Sequence, residues 1–76
     1  MVKVYSINQC PWCTKVKKYL KSKGVDYEER NIEMNDEYRK ECEALSGDTI
    51  VPVTTADDKN FVVSFDKEKL DAILGL

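Results

Sequence analysis

The sequence has 76 residues and contains no histidine. That absence excludes triads that use histidine, histidine general bases and histidine metal ligands. The three cysteines are too few for a four-thiolate zinc site within one chain, and their odd number does not suit a secreted scaffold of paired disulfides. Cysteine is therefore the leading candidate for any chemistry that the protein performs.

Long apolar runs are also missing, since no stretch approaches the roughly 20 residues that span a bilayer. No apolar stretch follows Lys3, so we expect no signal peptide, no membrane partner and a location in the cytoplasm. Hydrophobic residues make up 42% of the chain and charged residues 34%, which is ordinary for a soluble globular domain. The length predicts a single domain over residues 1–76, and nothing argues against a monomer.

Charge is distributed unevenly along the chain, although the net charge is only −2. Residues 1–24 contain six lysines and no acidic residue, whereas residues 25–76 contain all 14 acids and the other six basic residues. Such asymmetry can indicate a polyanion partner, but the overall acidity argues against nucleic acid. The simpler alternative is that the lysines form the solvated face of a helix. The choice between these interpretations depends on the cysteine motif that begins this helix, described below.

The pattern of apolar and polar residues predicts the element order βαβαββα. Strands are expected at 2–6, 26–32, 50–55 and 61–63. Pro11 suits the first turn of a helix, where its missing N–H costs nothing. Asn35 and Asp66 are favourable N-cap residues for two further helices. Glycine is expected to end each of the three helices, at positions 24, 47 and 75.

The motif Cys10-Pro11-Trp12-Cys13 carries the clearest chemical signal. It opens a helix after a strand, and its spacing lets the two sulfurs meet across one helical turn. Cys10 lies where free N–H groups and the positive helix end favour a thiolate, and Lys15 adds positive potential. We therefore predict that Cys10 attacks a substrate disulfide and that Cys13, on the apolar side of the helix, resolves the mixed disulfide.

Other roles for the cysteines agree less well with the sequence. Half of a zinc site would need a second thiol pair or a histidine, and the chain has neither. A purely structural disulfide does not suit a cytoplasmic protein. Cys42 shares an apolar helix stripe with Tyr38 and Leu45, which predicts a buried and inert thiol.

Trp12 and Val51-Pro52 are further candidate substrate contacts. Trp12 either shields the dithiol from water or stacks on a substrate peptide. An X–Pro bond is cis in only about 5–6% of cases, so Val51-Pro52 taken alone would favour trans. Because Val51-Pro52 lies downstream of a CxxC motif in this topology, we predict that its peptide bond is cis. It would turn the N–H and C=O of Val51 outward, where an extended thiol substrate adds like a short strand.

With these motifs the sequence resembles the glutaredoxins over nearly its whole length. The resemblance rests on the Cys10–Cys13 motif after a strand ending in Tyr5-Ser6, on residues 50–53 (Ile-Val-Pro-Val), and on Phe65-Asp66 before the last helix. It implies a thioredoxin fold, an α/β fold in which a four-stranded mixed sheet has helices on both faces. It also implies that Cys10 is the nucleophile, that Cys13 resolves, and that Pro52 is cis.

The same resemblance implies glutathione as the reducing co-substrate and disulfide-containing or glutathionylated proteins as substrates. No metal is expected, because the chain has neither a histidine nor a second CxxC pair. In glutaredoxins, glutathione lies in a groove beside the nucleophilic cysteine. The resemblance implies that its cysteinyl backbone pairs with Val51 and that its γ-glutamyl carboxylate meets the start of the last helix. Because glutathione is anionic, we expect the lysines, Lys15 foremost, to steer it in a salt-dependent way. The contact residues implied in this way are Pro11, Trp12, Lys15, Ile50, Val51, Pro52, Ser64, Phe65 and Asp66.

Departures from the glutaredoxin pattern leave alternatives open. Ile7 stands where many members have a lysine, and Val63-Ser64 stands where most have two glycines. The pair Ser64-Phe65 is closer to the small glutaredoxin-like electron donors of ribonucleotide reductase, which take electrons from thioredoxin reductase. The main alternative is therefore the same dithiol recharged by thioredoxin reductase. A lower alternative, also implied by the resemblance, is an iron–sulfur module held between two chains with glutathione.

Overall fold

The fold was analysed in a computed structural model that describes residues 2–47 and 50–75. The elements follow the predicted βαβαββα order. They are β1 (Val2–Ser6), α1 (Pro11–Ser22), β2 (Tyr27–Asn31), α2 (Asp36–Ser46), β3 (Val53–Thr55), β4 (Phe61–Val63) and α3 (Lys67–Leu74). Within the described residues, every helix is too short or too polar to cross a membrane.

The four strands form one mixed sheet in the order β2-β1-β3-β4. Strands β1 and β2 are parallel and pair Ser6 with Asn31. Strand β3 is antiparallel to β1 and to β4, and Val53 pairs with Tyr5 on one side and with Val63 on the other. The ends of β1, β2 and β4 and the beginning of β3 therefore lie together, at what we call the Ser6 end of the sheet.

Helices cover both faces of the sheet because successive β1 residues point to opposite faces. Val4 packs with Val16 and Leu20 of α1, and Leu74 of α3 packs against the same cluster. Tyr5 packs on the other face, in a cluster that includes the buried Cys42 of α2. The predicted mixed sheet between helical layers is thus confirmed, and so is the burial of Cys42.

The predicted helix caps are also confirmed. The Asn35 side chain accepts hydrogen bonds from the N–H groups of Glu37 at 2.9 Å and Tyr38 at 3.3 Å. Asp66 accepts one from the N–H of Lys69 at 3.2 Å. These bonds pair donors that the first helical turn leaves without an intrahelical acceptor. At the other end of α2, Gly47 has the left-handed φ of 80° that glycine adopts freely.

Strand β3 is shorter than the predicted strand over residues 50–55 and begins at Val53. The reason is that Pro52 has no N–H to contribute to the ladder. Its carbonyl oxygen still accepts a hydrogen bond of 2.8 Å from the N–H of Ser64. Residues 50–52 therefore lead into the sheet without joining it.

Strand β2 covers Tyr27–Asn31 instead of residues 26–32 and is mostly charged. It lies at the edge of the sheet, where charged side chains are tolerated and discourage pairing with other chains. Arg30 forms an ion pair with Glu28 at 3.3 Å and a second one with Glu41 of α2. The ion pair with Glu41 thus holds this charged strand against α2.

Candidate active site

Cys10 is the N-cap residue of α1, and Pro11 is the first helical residue. The Cys10 sulfur accepts a hydrogen bond of 3.1 Å from the N–H of Cys13. The first turn of α1 contains no acid, whereas α2 and α3 both have acidic residues in that turn. No carboxylate of α1 therefore offsets the positive helix end, which favours the thiolate form of Cys10 after reduction.

Cys10 and Cys13 form a disulfide, with their Cα atoms 5.2 Å apart. This separation lies inside the range that disulfides adopt. The Cys13 side chain is only 1% exposed, whereas Cys10 is partly exposed. An incoming sulfur can therefore reach Cys10 but not Cys13. This difference supports the roles of nucleophile and resolving thiol that the sequence predicted.

The loop before Cys10 is held by an asparagine that the sequence analysis missed. Asn31, the last residue of β2, donates a hydrogen bond of 2.9 Å from its amide to the side-chain oxygen of Asn8. Its own oxygen accepts from the N–H groups of Glu33 at 2.9 Å and Met34 at 3.2 Å. The turn-forming tendency of asparagine was the only local signal for these contacts.

The Val51–Pro52 peptide bond is cis, as predicted. Because Val53 pairs with Tyr5 and Val63, the Val51–Pro52 peptide lies at the Ser6 end of the sheet. The loop from Ser6 to Cys10 leaves the sheet at the same end. Pro52 is buried, Val51 is partly buried, and the Ile50 side chain is 50% exposed. The residues predicted to contact an extended substrate thus enter the sheet at the same end as the dithiol loop.

Residues 64–66 follow β4 and also lie at the Ser6 end. Ser64 has a left-handed φ of 65°. Glycine adopts this conformation freely, which explains why glycine is commoner at this position in the glutaredoxin pattern described above. The Phe65 ring meets the Tyr19 ring edge-on, with centroids 5.8 Å apart. The Asp66 carboxylate caps α3, so this side chain is fixed by its own helix.

Trp12 and Lys15 form the exposed border of the dithiol on α1. The Trp12 side chain is 52% exposed, and the Lys15 ammonium lies 4.3 Å from the centroid of its ring. That contact is a cation–π interaction and keeps a positive charge one turn from Cys10. Ile7, by contrast, is partly buried against the Tyr5 cluster. Positive charge near the dithiol therefore comes from α1 and not from position 7.

A buried hydroxyl links the Ser6 end to α1. Ser6 is fully buried and donates a hydrogen bond of 2.9 Å to Glu29 of β2, which also accepts one of 2.6 Å from Lys17 of α1. The Lys17 hydrogen bond, with help from Ser6, holds the pKa of Glu29 below its usual value. This network fixes α1 against the sheet. The described residues include no cluster of three or more histidine, cysteine, aspartate or glutamate residues that could hold a metal ion.

Comparison with known proteins places the chain among small redox proteins. The family model for glutaredoxin matches residues 2–62. The chain is 40% identical over 74 residues to a glutaredoxin-like 8.6 kDa protein from the rubredoxin operon of Clostridium pasteurianum, with 97% of each chain covered. It is 37% identical to glutaredoxin 3 of Escherichia coli K12 over 99% of this chain and 90% of that protein.

Two further likenesses bear on function and fold. The glutaredoxin-like protein NrdH of Lactococcus lactis is 38% identical over 61 residues, covering 80% of this chain and 83% of that protein. The crystal structure of the glutaredoxin from Methanosarcina mazei superposes with a TM-score of 0.90 at 26% identity, covering 99% of this chain and 78% of that chain. The predicted thioredoxin fold is thereby confirmed.

Proposed function

The chain belongs to the glutaredoxin family, and from that premise we propose that its thiol–disulfide oxidoreductase activity is driven by glutathione. The observation that carries the proposal is the convergence of three segments at the Ser6 end of the sheet. They are the Cys10–Cys13 dithiol, the cis Val51–Pro52 peptide, and the start of α3 at Phe65-Asp66. Together these segments lie at the end of the sheet where Cys10 is partly exposed, and we propose that they border a groove for glutathione.

The reaction on a protein substrate takes two exchange steps. The Cys10 thiolate attacks one sulfur of the substrate disulfide, the S–S bond breaks, and one substrate thiolate leaves and takes up a proton. The Cys13 thiol, after loss of its proton, attacks the Cys10 sulfur and releases the second substrate thiol. The substrate gains two electrons, and the protein is left with the Cys10–Cys13 disulfide, the state of this structure.

Two molecules of glutathione complete the cycle. The first attacks the Cys10 sulfur, which frees Cys13 as a thiol and leaves glutathione on Cys10. The second attacks that glutathione sulfur, so that oxidised glutathione leaves and Cys10 is reduced. On a glutathionylated protein, the Cys10 thiolate attacks the glutathione sulfur, the protein thiol leaves, and one further glutathione regenerates Cys10 and releases oxidised glutathione, so this reaction does not need Cys13.

The groove offers contacts for each part of glutathione. The backbone of Val51, next to the buried Pro52, is available for strand-like pairing with the cysteinyl unit. The start of α3 suits the γ-glutamyl carboxylate, because N–H groups and the positive helix end favour an anion there. We assign the positive charge beside the sulfurs to Lys15, with Pro11, Trp12, Ile50 and Ser64 at the border of the groove.

Recharging by thioredoxin reductase is the second candidate. Two observations favour it: the likeness to the Lactococcus lactis protein NrdH, and the Ser64-Phe65 pair before α3. The partly buried Ile7 adds to this, because a lysine often stands there in glutaredoxins. With this reductant, ribonucleotide reductase becomes a candidate substrate. Under either reductant we propose a monomer with a single domain over residues 1–76, acting in the cytoplasm, where thiols stay reduced.

A redox titration separates the two reductants. The protein is equilibrated across glutathione redox buffers, the fluorescence of its single tryptophan is followed, and mass spectra identify each state. With glutathione as reductant, we expect a potential of about −200 to −230 mV and a glutathione adduct on Cys10 that accumulates in a Cys13→Ser variant. The control adds Cys42→Ala to Cys13→Ser and should accumulate the same adduct. A potential near about −270 mV, with no adduct in any variant, would overturn the glutathione proposal and favour thioredoxin reductase.

A further inference from the structure

One surface row on α1 is uniformly basic. Lys15, Lys18 and Lys21 are exposed, and each follows the previous residue by three positions, beginning three positions after Trp12. Residues three apart are neighbours on a helix surface. We call these three residues the lysine row. Helix α1 has four lysines in all and no acid.

The lysine row has no ionic partner within residues 2–47 and 50–75. The fourth lysine of the helix, Lys17, does have one, since it pairs with Glu29 at 2.6 Å. Like charges at this spacing repel and destabilise a helix. Stability of the fold therefore does not explain the row, whereas an anionic partner would.

We propose that the lysine row binds an acidic segment next to the reactive cysteine of a disulfide-containing protein substrate. This inference rests on the proposed oxidoreductase function and adds a substrate class to it. The row starts beside Trp12, at the dithiol, and runs along α1 away from the Ser6 end of the sheet. An acidic segment bonded through its cysteine to Cys10 would lie along it.

The length of the row sets where the acidic residues must be. Trp12 and Lys21 are nine residues apart, which is about two and a half helical turns, so they lie about 14 Å apart along the helix axis and on opposite sides of it. The path between them over a helix surface about 10–12 Å across is about 22 Å, and an extended peptide that rises about 3.3 Å per residue covers it with about seven residues. The acidic residues are therefore expected within about seven positions of the substrate cysteine, on one side of it.

Glutathione does not account for Lys18 and Lys21. It is a tripeptide, and its proposed groove lies toward Val51 and the start of α3 instead of along α1. A long polyanion is also a poor match, because the net charge is −2 and α2, on the opposite face of the sheet, carries four acids against two basic residues. Positive charge confined to one helix suits a short acidic segment.

The test measures how fast the reduced protein reduces peptides that each contain one disulfide. Three peptides carry four aspartates, four asparagines or four lysines beside the cysteine, and a glutathione mixed disulfide is the small-substrate reference. The variant is Lys18→Glu with Lys21→Glu. The matched control is Lys40→Glu with Lys59→Glu, which changes the net charge equally at two exposed lysines outside α1. Stopped-flow fluorescence of Trp12 gives the rate constants at about 0.15 M ionic strength, where screening limits each charge to about 8 Å.

We expect the wild-type protein and the control to reduce the aspartate peptide about fivefold faster than the asparagine peptide. The Lys18→Glu, Lys21→Glu variant should lose or reverse this preference, while its rate on the asparagine peptide stays within about twofold and its rate on the glutathione mixed disulfide falls less than its rate on the aspartate peptide. The preference should shrink at higher salt.

Three results would overturn the proposal. One is an equal response of the variant and its control, which would mean that net charge alone matters. Another is a wild-type protein that does not discriminate the aspartate peptide from the asparagine peptide. The third is a variant that keeps the peptide preference but loses binding to single-stranded DNA or phosphatidylserine vesicles, which would assign the row to a polyanion. Failure of the oxidoreductase proposal looks different, because then no peptide is reduced by any protein.

Discussion

Asn31 at the end of β2 and Asn8 in the loop before Cys10 are joined by a side-chain hydrogen bond of 2.9 Å. The two residues are 23 positions apart, so this bond ties the dithiol loop to a different strand from the one that it follows. The Asn31 oxygen meanwhile accepts from two backbone N–H groups of the next turn. Asn31 therefore holds both loops at the Ser6 end of the sheet, whereas the Asn8 side chain reaches the second loop only through a weak contact of 3.9 Å between its amide and the Met34 sulfur.

This difference predicts unequal effects of two alanine variants. Asn31→Ala removes three hydrogen bonds and should lower the free energy of unfolding by about 1–2 kcal/mol, and Asn8→Ala by about half as much. The rate at which iodoacetamide alkylates Cys10 should also change more in Asn31→Ala, because the loop that presents the sulfur is released. Urea unfolding and alkylation kinetics measure both. Equal effects of the two variants would show that the turn at Glu33 and Met34 does not depend on Asn31.

Glu29 predicts a loss of stability in acid. Its hydrogen bonds with Lys17 and Ser6 lower its pKa in the folded protein below the usual value of 4.5. A carboxyl group whose pKa is lower in the folded protein stabilises the fold at pH values above its pKa in the unfolded chain. This contribution is lost as pH falls through its pKa in the folded protein. Because the side chain is 42% exposed, the contribution should stay below about 1 kcal/mol. Urea unfolding at about pH 6 and about pH 3 should show a larger drop in the wild-type protein than in Glu29→Gln.

Tyr5 predicts a late step in an alkaline titration. Burial, together with the neighbouring Glu41, raises the pKa of Tyr5 to about 12. A raised pKa means that the stability from the neutral phenol is present below pH 10.0, the ordinary value, and is lost as pH rises toward 12. Ultraviolet absorbance of the tyrosinates should contain a component with this high midpoint, and Tyr5→Phe should lack it. The component should return to an ordinary midpoint in urea; a high midpoint that survives unfolding would refute burial as the cause.

The burial of Cys42 predicts that its thiol contributes to the stability of the fold and not to the rate of disulfide reduction. It is the buried residue of α2, and its sulfur lies 3.9 Å from the Ile50 carbonyl oxygen. In the reduced folded protein, iodoacetamide should label Cys10 quickly and should label Cys42 only after unfolding. Cys42→Ala should lower the free energy of unfolding by about 1 kcal/mol because it leaves a small cavity. Its rate of disulfide reduction should equal that of the wild-type protein.

Lys15 predicts a salt-dependent rate with glutathione mixed disulfides. Its ammonium group lies over Trp12, beside the dithiol, where it attracts an anionic substrate. Lys15→Gln should slow the reduction of a glutathione mixed disulfide by about two- to fivefold at low salt, and the difference should vanish at high salt. Lys40→Gln, on the other face of the sheet, is the control. A wild-type rate that does not change with ionic strength would contradict steering by the lysines.

Local rules predicted most of the fold from the sequence. The caps at Asn35 and Asp66 and the helix end at Gly47 depend on side-chain chemistry within a few residues, so they can be recognised without a structure. The position of Cys10 follows in the same way, because Pro11 marks the first helical residue. These signals were enough to place the dithiol at a helix start after a strand.

The remaining features depend on contacts between distant residues. The Asn8–Asn31 bond and the link from Ser6 to Glu29 each join residues that are 23 positions apart, and no local pattern indicates either. The true start of β3 depends on which strand neighbours Pro52, and the stability of β2 depends on Arg30 meeting Glu41 of α2. Such pairings are set by the fold as a whole. The sequence therefore indicated the dithiol more clearly than the hydrogen bonds and ion pairs that hold the surrounding loops and strands in place.

The central place of β1 has a consequence for the order in which the protein assembles. This strand precedes the other three along the chain, yet its antiparallel partner Val53 follows Tyr5 by 48 residues. A growing chain can form β1, α1 and the parallel strand β2 early, but the Tyr5 face of that unit stays uncovered until α2 and β3 have been made. The slowest contact to form during synthesis is therefore expected between β1 and β3, the pairing that brings the cis-proline segment to the end of the sheet from which the dithiol loop leaves.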